Sequence, residues 1–163
     1  MTGTAETIVP MGDYAVAQGS GVLATLGLGS CVAVILFDRH AKVGGMAHVV
    51  LPTASLSRQT DKPARNAETA VPVLVGAMKI AGADHARIVA RLVGGASMFA
   101  GLLPAGTVPM GERNLLASRA ALRAAGVPIV GECVGESVGR SAWFDVARGS
   151  VVVRSVGRED HVL

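Results

Sequence analysis

A chain of 163 residues that is 50% hydrophobic but only 3% aromatic can bury one domain's core, which must be built mostly from Val, Leu, Ile and Ala. The formal charge of +3 comes from scattered arginines with no basic run and almost no interleaved aromatics, which argues against nucleic-acid binding. The longest apolar runs, such as VAVILF, fall far short of the ~20 residues of a membrane span, and no signal-peptide pattern opens the chain. A cytoplasmic protein that is not inserted in a membrane is expected, with Cys31 and Cys133 as free thiols.

In chain order, YAVAQ (14–18) reads as a short strand. VAVILFD (32–38) and VGGMAHVVLP (43–52) read as a strand pair divided by the polar turn DRHAK. A polar loop follows over 53–65, and the patch 55–65, like the first few residues, is expected to lack regular structure. Residues 66–81 read as a helix with Gly82 as its stop, and Pro72 implies a start near Thr69 or a kink. A strand is expected over 86–95, then an amphipathic helix over 111–126 with Leu115, Leu116, Ala120 and Leu122 near one face. Strands over 127–135, 140–146 and 150–156 complete the pattern. Two helices among closely spaced strand pairs indicate an α+β layer structure, largely antiparallel, with residues 1–163 forming a single domain.

The chemistry-bearing candidates lie in TLGLGSCVAVILFDRHAKVGGMAHVVLP (25–52). If the turn is centred between Arg39 and His40, Cys31 and His48 face each other directly across the hairpin, with Cβ atoms roughly 4.5–5.5 Å apart. A bulge at Gly44 and Gly45 would shift that register and separate the pair. In GLGSC, the N–H of Cys31, with that of Ser30, could hold an oxyanion, and Thr25, across a flexible segment, could orient the His48 ring. On the residues alone two readings stand: a nucleophile with its base, or a core thiol and a structural imidazole. A dinucleotide fingerprint fails, because Val32 stands where the third glycine belongs and a strand follows. Two cysteines and four scattered histidines show no metal-ligand spacing, so no metal or other cofactor is expected.

TLGLGSCVAVILFD followed by GGMAHVVLP resembles the CheD family of chemoreceptor glutamine deamidases. The resemblance covers nearly the whole chain, through IVPMGDYAVAQGSGVLAT, RLVGGASMFA and MGERNLLASRAALRAAGVPIVGECVG. It implies an α/β/β sandwich, helices layered over two sheets of mostly antiparallel strands. It also implies a cysteine, a histidine and a threonine as catalytic residues, which fall on Cys31, His48 and Thr25. The implied substrates are glutamine side chains on the cytoplasmic helical bundle of chemotaxis receptors. They would be converted to glutamate with release of ammonia through a thioester, with glutamate methyl esters as a related substrate. His48 would then leave Cys31 as a thiolate in an ion pair. A CheC-type phosphatase is an implied partner in some bacteria. One departure is ECVGESVGR, where Cys133 stands in place of the family's usual acid. The rival reading is a non-catalytic module that grips receptors or regulates a phosphatase. For that role, as for substrate contact, Phe99 in SMFAG is the candidate apolar anchor, unless it packs into the core.

Overall fold

VAVILFD is buried at every position, so both faces of this strand are covered, and the architecture follows from what covers them. The computed structural model describes residues 3–56 and 62–163, so residues 57–61 of the patch predicted to be irregular, and the first two residues, lie outside the described ones. Among the described residues the strands are β1 (Glu6–Ile8), β2 (Tyr14–Gln18), β3 (Val22–Leu28), β4 (Val32–Asp38) and β5 (Val43–Val49). They continue with β6 (Val89–Gly94), β7 (Ile129–Val134), β8 (Arg140–Asp145), β9 (Ser150–Ser155) and β10 (His161–Val162). The helices are α1 (Ala67–Ile80) and α2 (Met110–Ala124).

The strands form two sheets, in the orders β1-β3-β8-β9-β10 and β2-β5-β4-β6-β7. Pairing is antiparallel except for β1 with β3 and β6 with β7. Alternation along β4 divides its side chains between two cores. Val32, Val34 and Leu36 pack with Leu74 and Met78 of α1 and Leu115 and Leu122 of α2. Ala33, Ile35 and Phe37 face the other sheet, where Phe37 meets Phe144 edge-to-face at 5.4 Å. The layers are therefore helices, sheet, sheet, which is the expected α+β sandwich.

Local structure departs from expectation at several points. Strands β1, β3 and β10 were not expected, and β3 reaches from Val22 to Leu28, into the start of the GLGSC segment read as flexible. Helix α1 runs through Pro72 from Ala67, because the Asn66 side chain accepts the Thr69 N–H (3.1 Å) and caps it there. Gly44 and Gly45 make no bulge, since the β4–β5 ladder is continuous. A Cβ on Gly44 would lie 2.5 Å from Phe144, and one on Gly45 would lie 2.8 Å from Leu74. The two glycines thus let the second sheet and the helix layer approach β5 from opposite sides.

The hairpin register also differs. Asp38 pairs with Val43 and Ala33 with His48, so the turn is centred between His40 and Ala41. The cause is the Asp38 carboxylate, which accepts the N–H groups of His40 (3.0 Å) and Ala41 (3.1 Å) and closes a four-residue turn. Fully buried, it also accepts the Asp84 N–H (2.8 Å) and pairs with Arg87 (3.1 Å). Burial alone would push this carboxyl up, but Arg87 and the backbone donors outweigh it and bring it to about 2.

A depressed carboxyl contributes stability that is complete above its unfolded value near 4 and lost as pH falls through 2. Asp38→Asn should lower unfolding stability at neutral pH by on the order of 2 kcal/mol. Urea titrations should show the gap between wild type and variant closing between about pH 4 and pH 2. A gap of constant size across that range would exclude this role.

Candidate active site

Strand β3 carries Thr25 in one sheet and β5 carries His48 in the other, and their side chains meet in the layer between them. Thr25 Oγ1 lies 2.8 Å from His48 Nδ1 and 3.3 Å from the Val9 carbonyl, and both side chains are buried. A carbonyl can only accept, so the Thr25 hydroxyl gives its one proton to Val9 and accepts from the Nδ1–H of His48. That tautomer leaves Nε2 with a free lone pair. Nε2 is buried and has no hydrogen-bond partner among the described residues.

Cys31 stands one residue before β4 and packs, half-buried, against the inter-sheet core that also holds Ala33. Because Ala33 is the residue opposite His48, Cys31 is the diagonal neighbour of His48 on the same face. The direct opposition expected from the sequence is therefore replaced by a diagonal of roughly 7 Å between Cβ atoms. A shift of two residues keeps both side chains on one side of the sheet, where a shift of one would have parted them. Burial pushes the Cys31 thiol up, against a smaller opposing effect of its own N–H. Burial pushes the His48 imidazole down, against the Val9 carbonyl. Both directions favour the uncharged forms over the expected ion pair.

The backbone ahead of Cys31 is held carbonyl by carbonyl. Gly29 O accepts from Ala96 N (2.8 Å), Ser30 O from Asn114 Nδ2 (2.9 Å) and Cys31 O from Gly95 N (2.8 Å). The N–H groups of Ser30 and Cys31 donate to no oxygen among the described residues. Ser30 borders a cavity of about 220 Å³ lined also by Met98, Phe99, Leu103 and Gly111. Phe99 is 70% exposed, so it does not pack into the core. Met98, Leu102 and Leu103 beside it are exposed too, making an apolar pad next to the cysteine loop. A larger hollow of about 600 Å³ between the helices, at Pro72, Ala117 and Ala121, lies behind the sheet from Cys31 and His48.

Sequence reasoning picked out Thr25, His48, Cys31, Ser30 and Phe99 but assigned nothing to Asn114 or to the Val9 carbonyl. The ERN triplet was visible, but a polar residue in an amphipathic helix reads as surface. Cys133 lies half-buried on β7 opposite Val93 and packs against the same inter-sheet core. After it, Glu136 takes a φ of 58° and its carboxylate pairs with Arg140 (3.2 Å) and Arg158 (2.6 Å). Among the described residues no group of three or more His, Cys, Asp or Glu side chains could hold a metal ion. No helix among them is long and apolar enough to cross a membrane.

The uncharged resting pair has a measurable consequence. With Cys133 replaced by Ser, alkylation of Cys31 by iodoacetamide should rise only above the ordinary thiol range. A rate plateau extending to pH 6 would instead reveal a thiolate–imidazolium pair.

Residues 50–155 match the family model described as CheD chemotactic sensory transduction. A probable chemoreceptor glutamine deamidase CheD of Desulforamulus reducens is 40% identical, over 95% of this chain and 93% of its own. The chemoreceptor glutamine deamidase CheD of Thermotoga maritima is 42% identical, over 93% of each chain. A probable chemoreceptor glutamine deamidase CheD of Pyrococcus abyssi is 38% identical, over 94% of this chain and 93% of its own. Matches of that extent reach across Thr25, Cys31 and His48, which the family model's span leaves out. On both the family model and these full-length relatives, the chain belongs to the CheD family.

Proposed function

We propose that this chain, acting as one unit in the cytoplasm, deamidates glutamine side chains on the helical bundle of chemotaxis receptors. In this reading Cys31 is the nucleophile, His48 the base and Thr25 the residue that orients it. The observation that carries it is the buried 2.8 Å contact of Thr25 with His48 Nδ1, which leaves Nε2 bare on the face shared with Cys31. The names of the relatives supply the substrate class.

Chemistry starts from the neutral pair. As a receptor carboxamide arrives and excludes water, the thiol–imidazole distance shortens and His48 Nε2 removes the Cys31 proton. Sγ bonds to the carboxamide carbon, and the carbonyl electron pair moves to oxygen. The free N–H groups of Ser30 and Cys31 are suited to hold that oxyanion. The imidazolium returns its proton to nitrogen, the C–N bond breaks and ammonia leaves a thioester. Water, deprotonated by His48, then attacks; the thiolate leaves and recovers the proton, yielding glutamate. A glutamate methyl ester fits the same path with methanol as the leaving group. The scheme calls for no metal or organic cofactor.

The exposed pad of Met98, Phe99, Leu102 and Leu103 borders Ser30 and is suited to an apolar strip on a receptor helix. A CheC-type phosphatase covering this pad would compete with the receptor.

Mass spectrometry of receptor peptides, reading the small mass gain from Gln to Glu, tests the assignments. Cys31→Ala should abolish conversion while receptor binding persists, and His48→Ala should reduce kcat/KM by about 10²–10⁴-fold. Thr25→Ala should cost on the order of tenfold, the worth of one neutral hydrogen bond. Full conversion by Cys31→Ala would end the nucleophile assignment. Phe99→Ala should raise KM several-fold and leave kcat within a factor of about two, since it removes only ground-state contact. A fall in kcat at constant KM would remove Phe99 from the docking surface.

A further inference from the structure

The β4–β5 ladder ends at the pair Val32–Val49, one residue short of Cys31 on one strand and one residue past His48 on the other. Beyond that pair the strands continue into Cys31 on one side and Val50 on the other, and they are no longer bonded to each other. What joins them is a side chain from the helix layer. Asn114 of α2 is fully buried, and its Nδ2 donates to Ser30 O and to Val50 O, each at 2.9 Å. An amide nitrogen has two protons, and here each is spent on a different strand. The opposite amide orientation would set Oδ1 against two carbonyl oxygens, so this arrangement is electrostatically forced.

Helix α2 reaches this position because Gly111, one turn earlier, has no side chain. A Cβ there would lie 2.3 Å from Ala96 O and 2.6 Å from Gly95 O. The backbone of the first helical turn therefore rests directly on the Gly95–Ala96 segment, whose own N–H groups hold Cys31 O and Gly29 O. Of the three tethers on the cysteine loop, the one at Ser30 is the only one made by a side chain. Ser30 O and Cys31 N–H belong to one planar trans peptide, so they point in opposite directions. Drawing the carbonyl towards Asn114 turns the Cys31 N–H away from the helix, where it meets no oxygen among the described residues.

From this we infer that Asn114 is a positioning residue for the reaction. Its amide clips the open end of the hairpin, aims the Cys31 N–H at the developing oxyanion and sets the spacing between Cys31 and His48. The inference rests on the deamidase reading for its substrate, but not for its test.

Two reagents separate aiming from mere folding. Acylation of Cys31 by p-nitrophenyl acetate passes through an oxyanion, whereas alkylation by iodoacetamide does not. In a Cys133→Ser background, Asn114→Leu, which keeps the packing volume, should slow acylation by about 10–100-fold relative to alkylation. An unchanged ratio of the two rates would overturn the assignment, because a purely structural role would alter both together. Should Asn114→Leu fail to fold, the wild type serves. The Asn114 side-chain amide protons should exchange slowly by NMR, and addition of a peptide aldehyde to Cys31 should shift the Cys31 amide proton downfield. Rapid exchange, or a Cys31 amide indifferent to the aldehyde, would overturn it equally. A wild type that is acylated yet leaves receptor glutamines intact would defeat the deamidase reading and spare the role of Asn114.

Discussion

The hydrogen bond from His48 to Thr25 crosses from one sheet to the other, and the candidate site exists only while the two sheets keep that separation. The surrounding layer is almost wholly apolar, built from Leu28, Ala33, Ile35, Met46 and Val93. A lone imidazole would be costly there, since a buried polar group without a partner forfeits its hydration. Thr25 offsets that cost for Nδ1, and the Val9 carbonyl completes the chain of bonds by taking the hydroxyl proton. Gly44, two pairs along the same strand face, lets Phe144 enter far enough for the sheets to close to this distance. A steric vacancy in one strand and a polar bridge in the other direction thus fix the same dimension.

Burial that fixes the ring also sets its chemistry. It disfavours the charged form of both Cys31 and His48. For a thiol beside an apolar pad this has a benefit: a neutral sulfur is a poor nucleophile and is less prone to oxidation than a standing thiolate. In the proposed reaction, reactivity then depends on an incoming carboxamide, whose carbonyl meets the Ser30 and Cys31 N–H groups as the proton leaves sulfur. The unsatisfied Nε2 is the corresponding stored cost, small enough to tolerate and relieved when the proton arrives.

Much of this was legible in the sequence because apolar runs, alternation and turn residues mark β2, β4, β8 and β9 almost to the residue. Strand β3 escaped because a register irregularity between Thr25 and Leu28, with Gly27 at φ 66°, breaks its alternation. The hairpin register was misplaced because symmetry about DRHA ignores the Asp38 carboxylate, which captures two backbone N–H groups and lengthens the turn. Cys31 and His48 still share a face because the error was an even number of residues. Asn114 was invisible as a tether for a different reason. Its partners are carbonyls, which have no residue identity, and they lie 84 and 64 positions away.

Where specificity resides follows from how each part of the site is held. The cysteine loop has three successive carbonyls bound to neighbouring segments, so it has little freedom to adapt to one substrate over another. His48 is buried and tied to the opposite sheet, so it is equally fixed. The segment from Met98 to Val108 is different: it contains only one short 3-10 turn, at Ala100–Leu102, and exposes Met98, Phe99, Leu102, Leu103 and Val108. Exposed apolar side chains on a stretch with few backbone bonds can be exchanged or reshaped without disturbing the core. In the proposed function, chemistry common to any carboxamide is confined to the rigid hairpin end, and choice among glutamines falls to the apolar segment beside it. Ser30 stands between the two parts: it borders the cavity, and its N–H donates to no oxygen among the described residues.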